Sequence, residues 1–142
     1  MTTFNSDLVF GQRFEHELLD WLPNHENAHF PEAGLHSGFD LTIDGYTFEV
    51  KSDRMAAKTG NLCIEHRNGV CPSGINATTA DYWALFIIVN GNAERLYVIP
   101  TIALKNIIRK FKPRSVFGGD YKKTQMYLIP EKLFSQYRVR RP

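Results

Sequence analysis

The chain holds 142 residues, 43% hydrophobic and 23% charged, with a formal net charge of +2. One domain of ordinary soluble composition fits that length, and a disordered, collagen-like or coiled-coil chain does not. The longest apolar stretch, Tyr82 to Val89, is strand-sized and far short of the roughly 20 residues of a membrane-spanning helix.

Met1 to Asp7 carries neither a basic region nor an apolar core, so no secretion signal is expected. Leu8, Phe14, Leu18, Leu19 and Leu22 recur at helical spacing and predict a helix over 8–22, capped by Ser6 or Asp7 and stopped by Pro23. Residues 23–37 are rich in Pro, Asn, His and Gly and predict a loop. Phe39 to Ile43 alternates apolar and polar residues, Asp44-Gly45 is a strong two-residue turn signal, and Tyr46 to Ser52 alternates again. That is a β-hairpin. A loop over 53–60 precedes a third strand at Asn61 to His66, and a second loop covers 67–77. Thr78 or Thr79 caps a short helical turn into the apolar strand Trp83 to Val89. Asn90-Gly91-Asn92 turns the chain into a return strand, Arg95 to Ile99. Thr101 caps a second long helix, with Ile102, Leu104, Ile107, Ile108 and Phe111 as its apolar face and Pro113 at its end. A Gly118-Gly119 loop, a strand at Gln125 to Ile129 and a short segment around Leu133 and Phe134 complete the chain. This order predicts an α/β (α+β) fold, a mixed central sheet flanked by helices, in a single domain over 1–142.

The charge is unevenly divided. Residues 1–104 hold six Lys and Arg against thirteen Asp and Glu, and residues 105–142 hold eleven against two. A basic C-terminal segment on an acidic body suits a polyanionic partner, most simply nucleic acid; it also suits a basic helix that pairs with the body.

With Asp44-Gly45 at the turn, Ile43 pairs with Tyr46, Thr42 with Thr47, Leu41 with Phe48, Asp40 with Glu49 and Phe39 with Val50. Phe39, Leu41, Ile43, Tyr46, Phe48 and Val50 share one face, the expected core face. Asp40, Thr42, Thr47, Glu49 and Lys51 share the other. Two carboxylates set opposite each other, with Cβ atoms about 4.5–5.5 Å apart, repel. A divalent cation offsets that repulsion, since Mg²⁺ is typically held by one or two carboxylates and several waters. Lys51, two residues beyond Glu49 on the same face, can orient a water or stabilise developing negative charge. The bland alternative is a solvent-facing polar side on which Lys51 neutralises Glu49. The low strand propensity of Asp and the pairing of acid with acid count against it.

Gly38-Phe39-Asp40, an eight-residue gap and Glu49-Val50-Lys51 resemble the pattern of the PD-(D/E)XK nuclease superfamily, the restriction-endonuclease-like fold. Phe39 stands where the family often has Pro. Gly11 to Leu19 resembles the preceding helix of many members, with Glu15 a better match than Glu17 to the added acid. The resemblance covers residues 8–89, roughly the first two thirds of the chain. It implies Mg²⁺ or Mn²⁺ held by Asp40 and Glu49, with Glu15 as an added or water-mediated ligand. Lys51 would position the nucleophile, and the products would carry 5′-phosphate ends. Small members include restriction enzymes, Holliday junction resolvases, phage endonucleases and repair nicking enzymes. The resulting expectation is a metal-dependent endodeoxyribonuclease acting on duplex or branched DNA, with no nucleotide cofactor. A homodimer is the family expectation, because cutting two strands usually takes two sites. The alternatives are a non-catalytic nucleic-acid-binding module on the same fold and an RNA-directed nuclease.

Glu65 shares a strand face with Asn61 and Cys63, and would add an acid if that face is shared with Asp40 and Glu49; otherwise it is an exposed strand charge. Lys58 and Thr59 in the first loop, Ser73 and Thr78 in the second, and Lys122 and Lys123 in the basic segment are candidate phosphate contacts. Trp83 is expected in the core. Cys63 and Cys71 form neither a disulfide framework nor a zinc ribbon and read as reduced thiols of a cytoplasmic protein, or of host cytoplasm for a phage protein.

Overall fold

The structure, a computed structural model, describes residues 3–31, 38–118 and 123–142, with side chains from residue 9 onward. Helix α1 (Thr3–Trp21) starts earlier than the apolar spacing predicts, so Ser6 and Asp7 lie within it instead of capping it. The Leu22 N–H still reaches the Leu18 carbonyl at 3.1 Å, and Pro23, with no N–H of its own, ends the run. Phe14, Leu18 and Trp21 are buried, as their spacing predicts. The loop that follows holds a two-residue strand, β1 (Ala28–His29).

The hairpin forms as β2 (Leu41–Ile43) and β3 (Tyr46–Asp53). Asp44 and Gly45 both take positive φ, 49° and 87°, which gives a tight turn whose twist matches that of paired strands. The predicted register holds at Leu41 with Phe48, Thr42 with Thr47 and Ile43 with Tyr46. The predicted core face needs two corrections. Tyr46, next to the turn, is 56% exposed. Phe39 packs against the hydrophobic cluster opposite to that of Leu41, because residues 38–40 bend before the strand begins. The Asp40 N–H nonetheless donates to the Phe48 carbonyl at 2.8 Å, which keeps Asp40 beside β3.

The predicted loop after β3 contains a short helix, α2 (Ala56–Thr59). Asp53 Oδ1 accepts from the N–H groups of Met55 and Ala56 at 2.9 and 2.8 Å and so fixes its start. Strand β4 (Asn61–Asn68) follows, then β5 (Cys71–Pro72) and a 3₁₀ turn at Gly74–Asn76. The helical turn therefore precedes Thr78 and Thr79, which do not cap it. Strands β6 (Tyr82–Val89) and β7 (Asn92–Pro100) make the second predicted hairpin, with a longer return strand. In α3 (Thr101–Phe111) Pro100 takes the capping position. The Thr101 hydroxyl instead donates to the Ala80 carbonyl at 2.6 Å. Leu104 is buried, with Ile107 and Ile108 partly so, but Ile102 is 75% exposed and Phe111 is also exposed, so the apolar face is narrower than predicted. Strands β8 (Ser115–Gly118) and β9 (Thr124–Pro130), a 3₁₀ helix (Glu131–Tyr137) and β10 (Arg138–Val139) finish the chain. Gly118 ends β8, and Gly119 lies outside the described residues.

The α/β (α+β) class holds, but the strands make two sheets. The larger is mixed, in the order β1-β2-β3-β6-β7-β10, with β3 and β6 parallel. Strand β4 does not join it; it pairs with β9 in an antiparallel sheet ordered β5-β4-β9-β8. The spine is β6. Trp83, Leu85 and Ile87 enter one hydrophobic cluster, while Ala84, Phe86 and Ile88 enter the other. Burial on both faces explains its unbroken apolar sequence. Helix α1 packs into the second cluster, and residues of the second sheet, α3 and Phe134 pack into the first. Among the described residues no helix is long and apolar enough to cross a membrane.

Gly74 sits where the chain presses on β4. A Cβ there would lie 2.1 Å from the Glu65 carbonyl oxygen, and φ is +52°. Gly74→Ala is expected to destabilise the protein by about 2 kcal/mol through backbone strain and displacement of β4. Urea unfolding measures the loss.

Candidate active site

Asp40 is fixed at both ends: in addition to its backbone bond, Oδ2 accepts the Val50 N–H at 2.7 Å. Glu49 and Lys51 alternate onto one face of β3, where Lys51 Nζ stands 3.2 Å from Glu49 Oε1. The Glu49 side chain is 17% exposed and that of Lys51 43%. Glu15 comes from the middle of α1 and hydrogen-bonds the Asp40 side chain. Glu65 comes from β4, in the other sheet, and its charge acts on both Glu49 and Lys51. Four carboxyl groups from four segments of chain thus share one electrostatic neighbourhood with a single ammonium.

The consequences for protonation are large. Burial, then the charge and hydrogen bond of Asp40 and the charge of Glu49, push the Glu15 carboxyl up to about 7, against the pull of Lys51. Burial also raises Glu49, helped by Asp40 and Glu65 and opposed by Lys51. Burial works against the Lys51 ammonium, but Glu49, Asp40 and Glu65 outweigh it and hold its pKa above the ordinary lysine value. Lys51 is therefore a cation at neutral pH and acts as a donor, not as a base.

The donor set fits a hard divalent cation: oxygen ligands with an excess of negative charge that one lysine does not cancel. Among the described residues, no group of three or more His, Cys, Asp or Glu side chains is arranged to hold a metal ion. Mg²⁺ does not need one, because it keeps most of its waters and takes one or two carboxylates. Asp40 and Glu49, with Glu15 beside Asp40, are the carboxylates that could hold it.

Lys51 and Glu65 open onto a cleft of about 560 Å³, also lined by Phe10, Arg54, Met55 and Met126. Its far wall includes Trp83, fully buried as predicted, whose ring centre lies 5.8 Å from Lys51 Nζ. The Arg54 guanidinium lies 3.8 Å over the Phe10 ring. None of Phe10, Arg54 or Met126 stood out in the sequence. The signal for Phe10 was its four-residue spacing from Phe14, and for Arg54 its place just past the end of β3. Met126 had none, because only the pairing of β9 with β4 sets it opposite Glu65.

The predicted phosphate contacts do not form one group. Lys58 is exposed on α2, but the Thr59 hydroxyl is engaged with the backbone of Asn61 at 3.1 and 3.2 Å. The Ser73 Oγ is buried, with no hydrogen-bond partner among the described residues, so this hydroxyl is not presented to a phosphate. The Thr78 hydroxyl accepts from Ala80 N–H at 3.1 Å and donates to the Gly38 carbonyl at 3.4 Å, next to the bend that carries Asp40. Lys122 lies outside the described residues, and Lys123 is exposed at the end of β9, beyond Glu65. Among the described residues, no Lys or Arg of the 105–142 segment makes an ion pair with the acidic body. The described cations of this segment are exposed, though Arg141 stacks over Trp21 at 4.6 Å and donates to the Ala93 carbonyl.

No protein-family model matches the chain, and no curated protein matches it in sequence.

Proposed function

We propose that this protein is a divalent-metal-dependent endodeoxyribonuclease of the restriction-endonuclease-like type. One observation carries this: Glu15, Asp40, Glu49, Lys51 and Glu65 converge from α1, the bend before β2, β3 and β4. Like charges gathered in a half-buried patch are unfavourable, and a cation relieves them. Asp40 and Glu49, with Glu15 as a further ligand and Glu65 as an outlying acid, would hold Mg²⁺ or Mn²⁺, which when bound would supply charge to acidify a nearby water and neutralise a phosphate.

The chain's own residues do the positioning. Val50 N–H locks the Asp40 carboxylate. Glu49 tethers the Lys51 ammonium, whose N–H donors orient the attacking water and meet the charge that builds on the phosphate. The water oxygen bonds to phosphorus, the bond to the 3′ oxygen breaks, and that oxygen takes up a proton. The products are a 5′-phosphate and a 3′-hydroxyl. The solvent-facing basic segment would hold the DNA backbone. A footprint of roughly six to ten phosphates weakens binding by about 10³-fold or more between about 50 and 200 mM salt, which mobility shifts at graded salt would measure. A cytoplasmic location and a homodimer with one site per strand belong to the same proposal.

The site also predicts a pH dependence in the metal-free protein. The Glu15 pKa of about 7 lies above its ordinary value of 4.5, so the folded state holds the proton more tightly than the unfolded chain. The stability this provides is complete below the unfolded value and is lost as pH rises toward 7. In EDTA the protein should melt at a lower temperature near pH 8 than near pH 5.5, and Glu15→Gln should reduce that difference.

Incubation with supercoiled plasmid, a four-way DNA junction and a structured RNA, each with Mg²⁺, Mn²⁺ or EDTA, tests the proposal. Metal-dependent cutting of DNA supports it. Salt-sensitive binding without cutting would point instead to a non-catalytic module, and cutting of RNA alone to an RNA-directed nuclease.

A further inference from the structure

We infer that the cleft beside Lys51 and Glu65 receives the base of an unpaired nucleotide adjacent to the cleaved phosphate. The substrate class is then DNA with a single-stranded nucleotide at the cut, such as a flap or a branch. This inference rests on the nuclease reading of the acidic cluster.

Three observations carry it. The first is continuity: Lys51 and Glu65 belong both to the acidic cluster and to the cleft wall, so a phosphate held at the cluster places its neighbouring nucleotide at the cleft mouth. The second is the lining. At about 560 Å³ the cleft falls within the usual size range of small-molecule sites. It offers the thioethers of Met55 and Met126 and the outer plane of the Arg54 guanidinium, which rests 3.8 Å over the partly buried Phe10 ring. Aromatic rings and guanidinium planes are the surfaces on which unpaired bases stack. Met55 is exposed, as is Arg54, so this apolar and cationic rim is not used up in the core.

The third is preorganisation. The Asp53 carboxylate ties the walls together. Oδ1 accepts from Met55 and Ala56 at the start of α2, and Oδ2 accepts from the Cys63 N–H of β4 at 3.0 Å. Its oxygens are engaged internally, so the cleft walls hold their spacing before a nucleotide enters. A base stacked and paired within a duplex cannot enter such a cleft without leaving the stack, and an unpaired base enters at the least cost.

The test uses full-length protein in EDTA, where no cutting is needed. 2-Aminopurine is placed in a flapped DNA at the unpaired nucleotide, and in a fully paired duplex at the same position. Fluorescence reports stacking of the probe, and anisotropy of a distant dye reports binding. The unpaired probe should be quenched severalfold on binding and the paired probe should not. Phe10→Ala and, separately, Arg54→Ala should lose most of the quenching while anisotropy still shows binding through the basic segment. Arg54 is exposed, so the second variant guards against a folding defect in the first. Quenching in both variants equal to that of the wild type, or, with Mg²⁺ restored, a paired duplex cut as readily as the flap, would overturn the inference. Quenching in the wild type with no cutting of any DNA would support the base cleft and overturn the nuclease reading, which keeps the two failures apart.

Discussion

Lys51→Ala should slow metal-dependent DNA cleavage by about 10³-fold, the order expected when a positioned donor to developing charge is removed from a water-poor site. Its effects on binding should have the opposite character. DNA affinity should hold, because the solvent-facing cations of the 105–142 segment are untouched. Metal affinity should hold or rise, because the variant removes the one ammonium that competes with a cation for Glu49. Asp40→Ala should differ: it deletes a carboxylate that Val50 N–H holds in place, and both cleavage and metal binding should fall. Single-turnover cleavage rates with calorimetric titration of Mn²⁺ into each variant separate the two patterns. A Lys51 that served only to neutralise a surface glutamate would leave the cleavage rate unchanged.

Glu131→Ala should destabilise the protein by about 2 kcal/mol, because it removes a forked, part-buried ion pair and leaves Arg95 only the exposed Glu94 as partner. Glu131 takes a forked pair from Arg95, at 2.7 Å to Nε and 2.9 Å to Nη2, and accepts from the Tyr97 hydroxyl. Its own N–H donates to the Gly60 carbonyl at 2.9 Å. Burial opposes ionisation of Glu131, but the bonds from Arg95 and Tyr97 prevail and depress its pKa below 4.5. The stabilisation is therefore present above the unfolded value and is lost as pH falls below it. Urea unfolding should show the full gap between wild type and variant near pH 7 and a smaller one near pH 3. The position of this clamp has a consequence for the site. It fastens the end of β9, in the second sheet, to β7 of the central sheet. Glu65 reaches Glu49 and Lys51 only because the two sheets are held together, so Glu131→Ala should also slow cleavage. Lys51→Ala also leaves Glu49 without its cation, so some stability should be lost in EDTA, but the loss of rate with Mg²⁺ should far exceed it.

Local chemistry made the hairpin readable. Asp44-Gly45 set the turn, and the turn set the register as far as Leu41 with Phe48; the predicted Asp40–Glu49 strand pair does not form, and Asp40 is instead held against β3 from the bend by Val50 N–H. The doubly buried β6 was equally plain, since an unbroken apolar run of strand length has few other homes. The second sheet was not readable. Asn61 to Asn68 alternates like any half-buried strand, and nothing local says that its partner is Thr124–Pro130 rather than the hairpin before it. That long-range choice decides where Glu65 and Met126 sit. The ends of elements were misread for a related reason. Thr101 has the side chain of a cap, but its hydroxyl finds a tertiary acceptor at Ala80. Ser73 looks like a loop hydroxyl, but packing against β4 buries it.

The most direct measurement is the cutting of supercoiled plasmid, a four-way junction and a flapped DNA by one preparation of wild-type protein, first in EDTA and then with Mg²⁺ added, with Asp40→Ala in parallel. The wild type should cut only after Mg²⁺ is added, and the variant in neither condition. Wild-type protein that is folded, binds the plasmid, a four-way junction and a flapped DNA and leaves all three intact with Mg²⁺ or Mn²⁺ would contradict the assignment of Asp40, Glu49 and Lys51 as a nuclease site, as would equal cutting by Asp40→Ala.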